Sequence, residues 1–168
     1  MKKLMYVLFA ALMMSFVACN NQPVTPPEPE DPEIDDPTVP SSMKLFVDGI
    51  GEITGDRTIT LHDAELSLLS GEMTMTVRGT IEGVDALRVI VTRSTEGRKD
   101  ELCAGMCSPG DGELEQVFNF KMQGITNTWY AHYVVPEQDH SAYTVNYKFI
   151  NYSRVVNLTV VYDYQESE

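Results

Sequence analysis

The chain is poor in the residues on which most catalytic and nucleic-acid chemistry rests. Its 168 residues include 3 histidines and 3 cysteines, and 12 basic residues stand against 25 acidic ones, a formal net charge of −13. A phosphate-binding surface needs clustered Lys and Arg, so nucleic acid is not an expected partner. The scattered histidines form no Cys/His pair at zinc-finger spacing, and no metal or cofactor is expected. Gly-x-Ser-x-Gly, His-Glu-x-x-His and glycine-rich phosphate loops are absent. The adjacent pairs His62-Asp63 and Asp139-His140 carry no catalytic weight, because a nucleophile must be oriented by its base in space. After Val17 no apolar run is long enough to cross a bilayer. These absences point away from an enzyme.

What is present starts at the N-terminus. Lys2 and Lys3 precede an apolar run from Leu4 to Val17, shorter than the roughly 20 residues of a spanning helix, which reads as a secretion signal. The junction Phe16-Val17-Ala18-Cys19 resembles the bacterial lipoprotein signal, with Phe16 where Leu is usual. The resemblance implies a signal peptide over residues 1–18, acylation of Cys19 by palmitate-type chains, and attachment to the outer membrane by lipid rather than by a helix. Each buried acyl CH₂ contributes about 0.8 kcal/mol, so several chains on one residue hold a protein firmly.

Residues 19–42 differ in composition from all that follows. They carry Pro23, Pro26, Pro27, Pro29, Pro32, Pro37 and Pro40, with Glu28, Glu30, Asp31, Glu33, Asp35 and Asp36 and no Lys or Arg. Proline removes backbone donors and like charges repel, so an extended, solvated spacer is expected, reaching roughly 70 Å at about 3.1 Å per residue. Acidic residues soon after the cysteine resemble the export tags of surface lipoproteins in the Bacteroidota, which implies exposure at the cell surface.

Residues 43–168 are one domain's worth of chain, and their period is two. In Glu72–Glu82, Met73, Met75, Val77 and Ile81 share one face and Thr74, Thr76, Arg78 and Thr80 the other, with Gly79 on the inner face at a place of bulge or close contact. The alternation recurs in Leu87–Thr92, Phe118–Met122, Trp129–Val135, Tyr143–Phe149 and Val155–Tyr164, with shorter strands at Leu45–Val47 and Thr58–Leu61. His62–Ser70 has room for a short helical turn ended by Gly71. Seven or eight strands without a long helical pattern predict an all-β, antiparallel sandwich of immunoglobulin or fibronectin type, with a small barrel as the alternative.

Cys103 and Cys107 are the domain's two cysteines. Export makes a disulfide the expectation, and a separation of four residues can bridge in a turn. Catalytic dithiols read Cys-x-x-Cys, a shorter spacing, so the bridge is expected to pin a long loop between strands. Glu96, Asp100, Glu101, Asp111, Glu113 and Glu115 surround it and match no calcium-loop spacing, so a solvated acidic loop is expected.

Taken together, Val89-Ile-Val-Thr-Arg93, Asp100-Glu-Leu-Cys103, the Cys-x-x-x-Cys followed by Pro109, Trp129-Tyr-Ala-His-Tyr133, Tyr143–Asn151 and Val156–Val160 resemble a β-sandwich domain recurrent in secreted and surface proteins of the Bacteroidota. The likeness covers about Glu72–Asp163. It departs inside the cysteine loop, where Ala104-Gly105-Met106 replaces a frequent aromatic. The resemblance implies a non-catalytic surface module and names no substrate.

Two functions follow as expectations: presentation of the sandwich for protein interaction, adhesion or assembly, or carbohydrate binding. Exposed rings stack on sugars, and Trp129, Tyr130 and Tyr152 are the candidate ligand-binding residues. An enzyme is the remote third reading, and it needs His132 or His140 in a cleft with a carboxylate.

Overall fold

The structure, a computed structural model, describes residues 36–68, 70–124 and 126–165. The signal segment 1–18, Cys19 and the spacer through residue 35 lie outside the described residues.

The described residues form twelve strands: β1 (Lys44–Val47), β2 (Gly51–Ile53), β3 (Arg57–Leu61), β4 (Glu65–Leu66), β5 (Met73–Glu82), β6 (Ala86–Arg93), β7 (Asp100–Ala104), β8 (Met106–Pro109), β9 (Glu115–Lys121), β10 (Thr126–Val134), β11 (Tyr143–Asn151) and β12 (Arg154–Tyr162). The larger sheet runs β2-β1-β5-β10-β7-β8, with β4 also on β5; the smaller runs β3-β12-β11-β6-β9. All pairings are antiparallel except β3 on β12. The chain changes sheet repeatedly, as from β5 to β6 and from β6 to β7, giving an immunoglobulin-like β-sandwich.

Period-two alternation places the core between the sheets. Met75, Val77 and Ile81 of β5 and Trp129, Ala131 and Tyr133 of β10 are buried against Leu87, Val89 and Val91 of β6, Phe149 of β11 and Leu158 of β12. Each large apolar side chain so buried contributes roughly 1.5–3 kcal/mol. The inner position of Gly79 is a close contact: a Cβ there would lie 1.9 Å from the Phe46 carbonyl oxygen and 2.9 Å from Trp129 Nε1. Absence of a side chain is what lets the indole donate to that carbonyl at 3.1 Å.

Several expectations are corrected. The described residues hold twelve strands, not seven or eight, because β2 and β4 are too short to display a period and β7 and β8 fall in the cysteine segment read as a loop. Among the described residues of His62–Ser70 no helix forms; β4 pairs there with β5, and the single helical turn is one bond from Gly71 N–H to the Ser67 carbonyl, 2.8 Å. The cysteine segment is the β7–β8 hairpin at a sheet edge rather than a long loop, and Asp100, expected in a solvated loop, is buried. Its sequence hides this, because β7 is buried on both faces at Leu102, Cys103 and Ala104 and shows no alternation. The last spacer residues also contact the sandwich: Ser153 N–H donates to the Val39 carbonyl at 3.2 Å and the Ser42 hydroxyl to the Gly83 carbonyl at 2.8 Å.

Candidate functional site

The outer face of the larger sheet carries its chemistry in rows set by strand register. Arg78 of β5 faces Tyr130 of β10, Tyr130 faces Cys103 of β7, and Cys103 faces Cys107 of β8. In the row beside it Thr76, His132 and Glu101 are successive partners; on the other side Thr80 faces Thr128. Cys103 and Cys107 form a cross-strand disulfide.

Two rings on β10 lean toward β7. The Tyr130 hydroxyl lies 3.2 Å from Cys107 Sγ, two strands away, and His132 Nε2 lies 3.5 Å from Glu101 Oε2. Their planes are within 13° and their centroids 6.1 Å apart. This lean leaves the strip over β5 and β10 uncovered, because threonines are short. A depression of about 400 Å³ results, lined by Tyr130 and His132 of β10, by Arg78 opposite Tyr130 on β5, by Thr76, Thr80 and Thr128 on either side of that pair, and by Asp48. Asp48 is placed by its backbone N–H, which donates to the Arg78 carbonyl at 3.0 Å. Among the described residues neither Arg78 nor Asp48 has an ion pair.

A larger groove of about 880 Å³ lies at one loop end, beside Lys99, Glu137 and His140. Its Arg and Lys are matched internally: Arg98 bonds Asp139, and Lys99 meets Glu72 at 3.3 Å. Hydrogen bonds from Ser141, with help from the Arg98 charge, hold the Asp139 carboxyl below its usual range.

The aromatic candidates separate. Tyr130 is 37% exposed and belongs to the depression. Trp129, expected on an exposed face, is 1% exposed and packs edge-on against Phe149 at 5.3 Å, because strand parity turns it into the core. Tyr152 sits half-buried at positive φ (49°) in the β11–β12 turn of the other sheet, away from the depression. The histidines do not converge: His62 Nδ1 bonds the Asp163 carbonyl at 3.0 Å, His132 meets Glu101, and the His140 ring stands edge-on to Tyr164. Glu101, Cys103 and Cys107 bring a carboxylate and two sulfurs within 4.8 Å, but the disulfide denies those sulfurs the thiolate form that ligates metals.

Arg78, Asp48, Thr128 and His132 were not singled out by sequence as one site. The polar parity of Arg78 and Thr76 on β5 was visible; their alignment with Tyr130 and His132 depends on register.

Fold and surface together define an all-β sandwich domain with a polar and aromatic outer face. No protein-family model matches the chain, and no curated protein matches it. Solved structures with similarity include the N-terminal domain of PorA (TM-score 0.41, 16% identity, 75% of this chain and 99% of that one). Others are CfaE, the adhesive subunit of the CFA/I fimbria of enterotoxigenic Escherichia coli (0.39, 9%, 72% and 48%), and the ASH/PapD-like domain 7 of human CEP192 (0.35, 8%, 78% and 92%). At these identities and scores the chains share at most a general architecture.

Proposed function

We propose that this is a lipid-anchored protein of the outer membrane, exposed at the cell surface, that presents a non-catalytic β-sandwich on an acidic spacer for protein interaction, adhesion or assembly. The observation that carries the interaction reading is apolar exposure at adjacent sheet edges. Met106 at the β7–β8 turn is 69% exposed and Val117 on edge strand β9 is 50% exposed. A Cβ at Gly105 would lie 3.9 Å from the Lys121 carbonyl oxygen, which puts the hairpin tip beside the end of β9. Edge strands with unpaired backbone groups and exposed apolar side chains accept partner strands or loops. The anchor reading rests on the Lys2-Lys3, Leu4–Val17 and Ala18-Cys19 pattern.

Metabolic labelling with an alkyne-palmitate tests the anchor. The native chain takes up label, pellets with outer membranes and is cut by protease on intact cells, whereas Cys19→Ala does none of these. Label retained by Cys19→Ala overturns the assignment of the anchor. For the interaction surface, Met106→Asp with Val117→Asp abolishes cross-linking to a surface partner; cross-linking that survives both places the interface elsewhere.

A second reading, carbohydrate binding, is favoured by one observation, the outward Tyr130 beside a depression whose Arg78 and Asp48 have no ion pair among the described residues.

A further inference from the structure

Resting on that second reading, we infer that the depression between Tyr130 and Arg78 binds a neutral pyranose unit of an oligosaccharide, its ring face against Tyr130 and His132 and its hydroxyls shared among Arg78, Asp48 and the threonines.

Four features of the site select this ligand class. The first is size: about 400 Å³ lies within the roughly 300–1,000 Å³ of small-ligand sites. The second is the donor and acceptor set. A guanidinium and a carboxylate, both without ion pairs among the described residues, flank the same strip with Thr76, Thr80 and Thr128. Vicinal hydroxyls donate and accept at once, so they satisfy both charged groups where a purely anionic ligand would meet Asp48. The net charge of −13 further opposes anions at long range.

The third feature is preorganisation. The Tyr130 hydroxyl is held at Cys107 Sγ, and the His132 ring lies beside Glu101 at 3.5 Å, so the Tyr130 ring needs little ordering when the ligand arrives. In this arrangement the disulfide positions the Tyr130 ring by fixing Cys107 against β7. The fourth is location. β5 and β10 are central strands, paired on both sides by β1 and β7, so their backbone groups are consumed and an extended peptide gains no added strand there. The larger loop-end groove carries no comparable case, because its cations are already paired.

The test uses the full chain in a zwitterionic, sugar-free detergent, with saturation-transfer NMR against maltohexaose, cellohexaose, xylohexaose, mannohexaose and chitohexaose, and polygalacturonate as the acidic probe. At least one neutral oligosaccharide is expected to bind. Tyr130→Ala and Arg78→Ala each weaken it about tenfold, as truncation at a binding centre does. Tyr152→Ala leaves it unchanged. Tyr130→Phe keeps the ring and removes only the Cys107 contact, so a smaller loss is expected and folding is not at stake. No binding by any neutral probe at millimolar concentration, binding by polygalacturonate alone, or binding indifferent to both Tyr130→Ala and Arg78→Ala overturns the proposal. A failure of Cys19 labelling bears on the anchor and leaves this result standing.

Discussion

Arg93 Nε lies 2.8 Å from Asp100 Oδ2, with the two side chains 1% and 2% exposed. The pair joins the end of β6 in one sheet to the start of β7 in the other. Tyr143 donates to the same carboxylate oxygen at 3.3 Å, and the guanidinium continues to the Glu113 carbonyl at 2.9 Å and Gln116 Oε1 at 3.0 Å. Burial pushes the guanidinium down, but the bond and charge of Asp100 outweigh it and hold Arg93 charged.

Breaking this pair from one side leaves a buried charge alone. Arg93→Met or Asp100→Leu is expected to lower stability by about 3–5 kcal/mol in urea denaturation, and the double variant to recover much of that loss. Single losses under about 1 kcal/mol would mean that the charges are solvated and the pair is no tie between sheets.

Gly79 is the second point of strain intolerance. Gly79→Ala drives a methyl into the Phe46 carbonyl and the Trp129 indole, and is expected to cost about 3 kcal/mol or more. Gly55→Ala, where a Cβ would meet nothing within 4 Å, serves as the near-neutral control. Trp129 is the chain's single tryptophan, so its fluorescence reports directly: blue-shifted emission in the native protein, red-shifted on unfolding. Equal midpoints for the two glycine variants would refute the close contact.

Alkaline pH should unfold the sandwich through its tyrosines. Burial pushes the phenols of Tyr143, Tyr147 and Tyr162 well above their usual range, and Tyr147 and Tyr162 share a hydroxyl contact at 3.1 Å. Unfolded phenols lose protons near pH 10 while the native ones keep them. The unfolded state therefore binds fewer protons above that pH, and stability, fully present below it, falls as pH rises. Urea midpoints from neutral to strongly alkaline pH should decline above about pH 10, less steeply in Tyr147→Phe. A flat profile would mean that these hydroxyls ionise in the folded state.

Removing the Cys103–Cys107 bridge should cost only about 2 kcal/mol, because the closed loop is tiny. Cys103→Ser/Cys107→Ser and reduced native protein should share one urea midpoint, below that of oxidised protein, with the core fluorescence of Trp129 unchanged. A loss of the native Trp129 signal on reduction would show that the hairpin holds the core and not only the edge.

Much of the sandwich was legible because a strand with one wet face writes its orientation as an alternation. Met75-Val77-Ile81, Val145-Tyr147-Phe149 and Leu158-Val160-Tyr162 are buried at the parity read from sequence. The same parity put Trp129 with Ala131 and Tyr133, and its burial follows that parity against its selection as an exposed, sugar-stacking ring. Arg93 offered a weaker signal, falling in phase with Val89 and Val91, an inward place for a charge. Nothing local to Asp100 named it as the partner, since seven residues and a change of sheet separate the two.

Sequence alone determined the alternating faces, the inner place of Gly79 and the spacing that lets the two cysteines bridge, because each depends on residues a few positions apart. Tertiary structure decided which strands are neighbours, and with that the meeting of Arg78, Tyr130 and Cys107 across β5, β10, β7 and β8. Register is fixed by how two apolar faces fit together over the whole sandwich, a long-range balance that no single segment contains.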